Sequence, residues 1–150
     1  GWKRAGIHQP ESVAAHSWGM CWLIMALCPE DIDRARALEL AVVHDLAEVR
    51  VGDITPHDGI PKQQKRRMES EAIQAMLSDR PDLLDLWKEY ELGESQESRF
   101  VHDIDRLDMA LQAERYSRKF GVDTNEFLDS AQNSVQTASV AKIIEQLKQL

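Results

Sequence analysis

Helical periodicity runs through almost all of this 150-residue sequence, and it limits the possible folds more than any other feature. Apolar residues recur at three- and four-residue spacing in nearly every segment, whereas no run alternates as a half-buried strand would. Gly52 and Gly121 follow long periodic stretches as stop signals, and Pro61 is placed to open another helix. The sequence therefore predicts an all-α fold, a helical bundle.

We predict about six to seven helices in one domain that spans residues 1–150, a length typical of a single domain. Ser12 is the expected N-cap of the first helix. The segment 53–59 contains a proline and a glycine and is predicted to be a loop. The predicted helices cover residues 11–27, 32–51, 61–78, 81–91, 96–120, 124–130 and 135–150.

Charge and cysteine content narrow the class of protein. A net charge of −8 argues against a nucleic-acid groove, which requires a basic face. The basic cluster at 62–67 is expected to be a solvated helix surface that could still attract an anionic small molecule. Cys21 and Cys28 lie too far apart along one helix for a disulfide, which favours a reducing compartment, the cytoplasm. The longest apolar run, 20–28, is too short to span a bilayer.

His44 and Asp45 lie in an apolar stretch of the second predicted helix, where burial of either is unfavourable without a partner. A divalent metal ion satisfies both, since it binds an imidazole nitrogen and a carboxylate oxygen together. Glu48 follows His44 by four residues, which on a helix places it on the same face. A His-Asp pair also occurs by chance, so a hydrogen-bonded pair at a helix edge is the alternative interpretation.

Further candidate ligands lie on two other predicted helices. His16 is on the first helix, and Asp105 and Asp108 border the apolar stripe of the fifth, whereas Asp103 falls on the opposite side. Isolated histidines and carboxylates at such positions are usually satisfied core or edge residues. A metal ligand placed there would nevertheless face the interior of the bundle.

The order of His16, His44-Asp45 and Asp105 resembles the H…HD…D signature of HD-domain metal-dependent phosphohydrolases. Longer motifs are similar to those of the YfbR-like 5′-deoxynucleotidases and the related eukaryotic HD-domain-containing protein 2. In order along essentially the whole chain, these motifs are PESVAAH at 10–16, HDLAE at 44–48, VGDITP at 51–56, IPKQQK at 60–65 and VHDIDRLDM at 101–109.

The resemblance implies an HD-domain fold and removal of the 5′-phosphate from deoxyribonucleoside monophosphates. It also implies one divalent ion, Co²⁺, Mn²⁺ or a similar metal, because four residues match the family's metal ligands. Those residues are His16, His44, Asp45 and Asp105. Homodimers are usual in the family, so a homodimer is expected.

The resemblance also assigns residues to catalysis and substrate binding. Glu48 and Asp53 match two acidic residues that transfer protons and position water, and Asp53 either protonates the departing 5′-oxygen or orients its neighbours. Trp2 matches a tryptophan that packs on the sugar and disfavours a 2′-hydroxyl. Arg4 is the candidate for the phosphate-binding arginine, unless that arginine precedes Gly1, where we expect native sequence because the chain opens without methionine.

The sequence departs from the family pattern beside its first histidine. Ala15 stands where an acidic residue commonly precedes that histidine, so a contact behind the ligand is expected to be lost, and Gly19 replaces a frequent arginine. Two alternatives to the nucleotidase remain: an HD hydrolase of another nucleotide phosphoester, and a metal-binding helical scaffold without turnover. A scaffold needs neither Glu48 nor Asp53, so the presence of both argues against it.

Overall fold

The computed structural model describes residues 2–149, without the side chain of Pro56, and these residues form eight α-helices and one 3-10 turn. The predicted all-α class is confirmed. The helices are α1 (Val13–Leu27), α2 (Arg34–Val43), α3 (Glu48–Val51), α4 (Lys62–Met76), α5 (Pro81–Leu92), α6 (Gln96–Phe120), α7 (Asn125–Ser134) and α8 (Ala138–Leu147), and the 3-10 turn is Pro56–Asp58.

Helix α6 is the centre of the bundle, because α1, α2, α5, α7 and α8 all pack against it. It begins after Ser95, whose side chain accepts a hydrogen bond from the backbone N–H of Ser98, and it ends at Gly121 with a φ of 65°. Each large apolar side chain that it buries contributes about 1.5–3 kcal/mol. Its core residues include Phe100, Val101, Ile104 and Leu107.

Asp103 lies apart from this apolar stripe, yet it is only 1% exposed, because the chain returns over it before α8. Its carboxylate accepts hydrogen bonds from the backbone N–H groups of Gln136 at 3.1 Å and Thr137 at 2.7 Å. Arg106 approaches the same carboxylate at 3.4 Å. A buried carboxylate is stable when it is paired in this way, so Asp103 fixes the start of α8 on α6.

The prediction of one continuous helix over 32–51 is wrong, because residues 44–47 form a turn between α2 and α3. Within that turn the backbone N–H of Glu48 bonds to the carbonyl of Asp45 at 3.0 Å, the i→i+3 pattern of a tightened helix end. His44 and Asp45 therefore follow a helix instead of lying inside one. Glu48 stands three residues after Asp45 along a tight turn, and the expected one-turn alignment with His44 is lost.

The remaining predicted helices agree with the structure to within a few residues at their ends, and Ser12 is the N-cap of α1 as predicted. Cys21 and Cys28 are both free and half-buried. No helix within residues 2–149 combines the length and the apolar character that crossing a bilayer requires.

Candidate metal centre

Three separate parts of the bundle bring two imidazoles and two carboxylates together. His16 comes from α1, Asp105 from the middle of α6, and His44 and Asp45 from the turn after α2. One potential ligand atom from each of His16, His44 and Asp105 lies within 4.8 Å of the others. Oδ2 of Asp45 is 3.1 Å from Nε2 of His44 and 3.9 Å from Nε2 of His16.

The distances between these donor atoms fit a common ion. Donors held about 2.1 Å from one metal lie about 3 Å apart when adjacent and about 4 Å apart when opposite. Here Nε2 of His16 is 3.1 Å from Oδ1 of Asp105, and Oδ2 of Asp45 lies within the same range of both histidines. Asp45 nevertheless lies outside the group of His16, His44 and Asp105, whose donor atoms are all within 4.8 Å of one another. Mixed imidazole and carboxylate donors suit a divalent transition metal.

His44 carries the clearest sign of a metal ligand. Its side chain is buried, and Nδ1 donates a hydrogen bond to the carbonyl of Ala41 at 2.7 Å. That bond keeps a proton on Nδ1, and Nε2 has no hydrogen-bond partner among the described residues although Oδ2 of Asp45 is 3.1 Å away. A backbone carbonyl behind the ring commonly fixes the tautomer and orientation of a metal-binding histidine. The residues present therefore fit a metal ion.

His16 lies between two carboxylates of α6. Its Nε2 is 3.1 Å from Oδ1 of Asp105, and its Nδ1 is 2.8 Å from Oδ2 of Asp108. Burial alone would lower the pKa of His16, but hydrogen bonds and charge from the two carboxylates raise that pKa to about 11. Burial of Asp105 is likewise outweighed by His16, which lowers the pKa of this carboxyl.

Two further side chains support the centre, and the family motifs assigned neither. Asp108 holds the outer nitrogen of His16, and the hydroxyl of Tyr90 donates a hydrogen bond to Oδ2 of Asp105 at 3.3 Å. The Tyr90 ring also packs edge-on against His44, with 5.3 Å between ring centroids. The position of Asp108 beside the apolar stripe was a signal in the sequence, whereas that of Tyr90 depends on how α5 packs against α6.

Glu48 and Asp53 lie beside the predicted ligands. Burial raises the pKa of the Glu48 carboxyl to about 7, and the charges of Asp45 and Asp53 act in the same direction, while Lys65 opposes them. A carboxyl group with such a pKa is partly ionised at neutral pH, as a general base requires. Asp53 is exposed and directly follows Gly52, which ends α3 with a φ of 76°.

The centre opens into a cleft of about 920 Å³, within the usual range for ligand sites. Its walls include His16, Asp45, Glu48 and Asp105 near the centre, and Trp2, Arg4, Asp53 and Phe127 further out. All eight residues predicted for the site belong to this cleft except His44, which is buried behind it and lines a smaller adjoining cleft.

The outer part of the cleft is built by the N-terminal segment and α7. Trp2 stacks on Phe127 with 4.3 Å between ring centroids and meets the edge of Tyr116 at 5.2 Å. The guanidinium of Arg4 is paired with the carboxylate of Glu126 at 3.0 and 3.1 Å. Trp2 therefore forms an aromatic wall of the cleft. Arg4 must break its ion pair with Glu126 before it can bind a phosphate.

Lys65 differs from the solvated surface expected for the basic cluster. Its ammonium donates a hydrogen bond to the carbonyl of Ile54 at 2.9 Å and lies 3.5 Å from the carboxylate of Glu69. It lines both clefts and connects α4 to the loop that carries Asp53. The other basic residues of the cluster are exposed, as predicted.

Comparison with known proteins agrees with this geometry. The HD domain family profile matches residues 1–148. The 5′-deoxynucleotidase hdd1 of Schizosaccharomyces pombe is 41% identical over 129 residues, which cover 80% of this chain and 65% of that protein. The human 5′-deoxynucleotidase HDDC2 is 36% identical over 156 aligned positions, covering 99% of this chain and 76% of that protein.

A solved structure extends the likeness to the fold. A conserved hypothetical protein from Pyrococcus furiosus superimposes with a TM-score of 0.81 and 28% identity, covering 100% of this chain and 90% of its own. The fold, the sequence and the arrangement of histidines and aspartates thus agree, and this chain belongs to the HD domain family, in the group that contains the 5′-deoxynucleotidases HDDC2 and hdd1.

Proposed function

We propose that this chain removes the 5′-phosphate from deoxyribonucleoside 5′-monophosphates by metal-dependent hydrolysis, as a single HD domain. The observation that carries the proposal is the His-Asp cluster at the base of the cleft, beside the half-buried carboxyl group of Glu48. Relatives that cover nearly the whole chain are named 5′-deoxynucleotidases, and the chain is a 5′-deoxynucleotidase of the HD type.

One divalent ion is held by His16, His44, Asp45 and Asp105. We propose Co²⁺, Mn²⁺ or a similar metal, because two nitrogen and two oxygen donors suit such ions and leave coordination positions open. When bound, the ion supplies Lewis acidity toward water and phosphate. The buried His44 supports this assignment most directly, since its Nε2 faces the cluster with no hydrogen-bond partner in the described chain.

Glu48 accepts the proton of the water molecule that attacks phosphorus. The bond between phosphorus and the 5′-oxygen breaks, and the products are a deoxyribonucleoside and inorganic phosphate. Asp53 has one of two roles: it gives a proton to the departing 5′-oxygen, or it orients its neighbours while solvent water supplies that proton. Its exposed position on the cleft wall, two residues after Val51 at the end of α3, suits either role.

The substrate is bound by residues of the outer cleft. Trp2 lies against the sugar and leaves no room for a 2′-hydroxyl. The stacking of Trp2 on Phe127 supports this role because it fixes the position of the indole ring. Arg4 binds the phosphate after releasing Glu126. Free Cys21 and Cys28 suit a reducing compartment, and we propose the cytoplasm.

We also propose that the chain forms a homodimer through one face of α1. Trp18, Trp22 and Met25 follow one another at helical spacing and are 70%, 60% and 58% exposed. Such a stripe of large apolar side chains is typical of an interaction surface, and a second copy presents the same stripe, as a two-fold interface requires. Trp22→Glu should convert a dimer to a monomer in light scattering, and a wild-type monomer would contradict the proposal.

Phosphate release from a panel of nucleotides tests the activity. The panel contains deoxy- and ribonucleoside 5′-monophosphates, 3′-monophosphates and triphosphates, each with Co²⁺, Mn²⁺ or a chelator. We expect deoxyribonucleoside 5′-monophosphates to be hydrolysed fastest and the chelator to abolish release. Hydrolysis of another phosphoester alone would identify a different HD hydrolase, and metal binding without any hydrolysis would identify a scaffold.

The metal content of His44→Ala tests the ligand assignment. We expect elemental analysis to find about one ion per wild-type chain and none in the variant, because His44 is the buried nitrogen donor of the cluster. His57→Ala is the matched control, since His57 lines the same cleft but lies outside the cluster. Full metal occupancy in His44→Ala would contradict the assignment.

A further inference from the structure

Gly19 and Asp108 fit together behind the first histidine of the cluster. Gly19 stands three residues after His16 on α1, on the side that faces α6. A Cβ at position 19 would overlap Oδ1 of Asp108 and lie 3.2 Å from its Cγ, closer than ordinary van der Waals contact. The absence of a side chain at Gly19 therefore leaves the space that the Asp108 carboxylate occupies.

The carboxylate in that space binds the outer nitrogen of His16. Oδ2 of Asp108 accepts a hydrogen bond from Nδ1 of His16 at 2.8 Å, and both side chains are only 14% exposed. The opposite nitrogen, Nε2, is directed at Asp105 and the other donors. A carboxylate from α6 therefore contacts the ring of His16 from behind, although position 15 carries no acidic side chain.

We propose that Asp108 is a positioning residue that holds His16 in the orientation and tautomer required for metal binding. Its carboxylate has room beside His16 because Gly19 carries no side chain. A carboxylate at Nδ1 keeps a proton on that nitrogen and leaves the lone pair of Nε2 for the ion, and loss of such a partner typically weakens metal affinity about 10–100-fold. The inference rests on the proposed metal site but concerns residues that the family motifs do not assign.

A double-mutant cycle on metal affinity tests the coupling between the two positions. The variants are Asp108→Ala, Gly19→Ala and the combination, and the readouts are the Co²⁺ dissociation constant by chelator competition and the visible absorption spectrum of bound Co²⁺. We expect each single variant to weaken Co²⁺ binding about 10–100-fold. The double variant should be no weaker than Asp108→Ala, because a methyl group at position 19 then has no carboxylate to displace.

Two further variants separate positioning from general structural damage. Asp108→Asn keeps an oxygen acceptor for Nδ1 without the charge, so it should retain the wild-type Co²⁺ spectrum with intermediate affinity. Glu114→Ala removes another carboxylate of α6, which pairs with Arg118 outside the cluster, and should leave affinity and spectrum unchanged. Circular dichroism of every variant checks the helical fold.

The outcomes that overturn the inference are distinct from failure of the proposed function. Wild-type protein that binds no Co²⁺ would overturn both. Tight binding by wild type and by Asp108→Ala alike would overturn the role of Asp108 alone. If Gly19→Ala weakened Co²⁺ binding by the same factor in the wild-type protein and in Asp108→Ala, Gly19 would act independently of Asp108. Two ions in wild type and one in Asp108→Ala would make Asp108 a ligand, in a group with Glu11 and His16.

Discussion

Replacing Glu48 with glutamine removes the proposed proton acceptor while keeping its size and hydrogen-bonding reach. Burial, together with the charges of Asp45 and Asp53, raises the pKa of the Glu48 carboxyl to about 7. A general base of this kind contributes about 10²–10⁴-fold to the rate. We therefore expect kcat to fall by about 10²–10⁴, which corresponds to about 2.7–5.5 kcal/mol in the barrier.

The assay is release of inorganic phosphate from a deoxyribonucleoside 5′-monophosphate at saturating Co²⁺, measured from pH 5 to pH 9 together with metal content. A bound divalent cation lowers the pKa of a neighbouring carboxyl group. The acidic limb of kcat should therefore lie at or below pH 7 in wild type, with rates falling about tenfold per pH unit beneath it. Glu48→Gln should lose that limb and keep its metal.

Glu69→Gln is the matched control for this experiment. Glu69 is another half-buried carboxylate near the centre, but it pairs with Lys65 at 3.5 Å and lines only the smaller cleft. Its charge adds to the raised pKa of Glu48, so its removal should shift the acidic limb toward lower pH with kcat unchanged. Loss of metal in Glu48→Gln would make Glu48 a ligand, and full activity or an unchanged limb would refute its role as base.

Three further predictions concern the sugar, the first histidine and the start of α8. Trp2→Ala should narrow the ratio of kcat/KM between dAMP and AMP, and an unchanged ratio would leave Trp2 as aromatic cover for the N-terminal segment. His16, with a pKa of about 11 against an ordinary 6.5, stabilises chelator-treated protein fully below pH 6.5 and progressively less toward pH 11, so the Tm should fall over that range. Co²⁺ binding should displace that proton, and calorimetry in several buffers at pH 9, where Glu48 is already ionised, should find about one proton released per ion. Asp103→Ala should cost about 2–4 kcal/mol in urea denaturation, because the N–H groups of Gln136 and Thr137 lose their buried acceptor, and a cost below about 1 kcal/mol would contradict this.

Periodicity predicted the helices well wherever long apolar stripes and clear stop signals define them. The range 96–120 is predicted to the residue, because Ser95 and Gly121 mark its two ends chemically. The turn at 44–47 was missed for a physical reason. Over four residues, a tightened turn and a continuing α-helix bury nearly the same apolar positions, so the apolar pattern does not distinguish them. The turn also contains neither glycine nor proline to mark the end of the helix.

The residues around the metal centre were predictable to different degrees. His16 and Asp105 could be paired only through the family motif order, since 89 residues separate them along the chain. Tyr90 gave no signal and Lys65 only its place in a basic cluster, because their contacts with Asp105 and with the carbonyl of Ile54 depend on how separate helices pack. Local spacing cannot specify such contacts.

The same carboxylates that suit a divalent ion also explain why the pKa of His16 is raised. Asp105 and Asp108 approach the ring from its two sides, and Asp45 lies 3.9 Å from Nε2. Negative charges so close together need a cation between them, and a proton on Nε2 of His16 supplies one. A metal ion ligated by Nε2 must replace that proton. Proton and metal therefore compete for the same position, so the affinity for the metal should rise with pH until Nε2 of His16 has lost its proton.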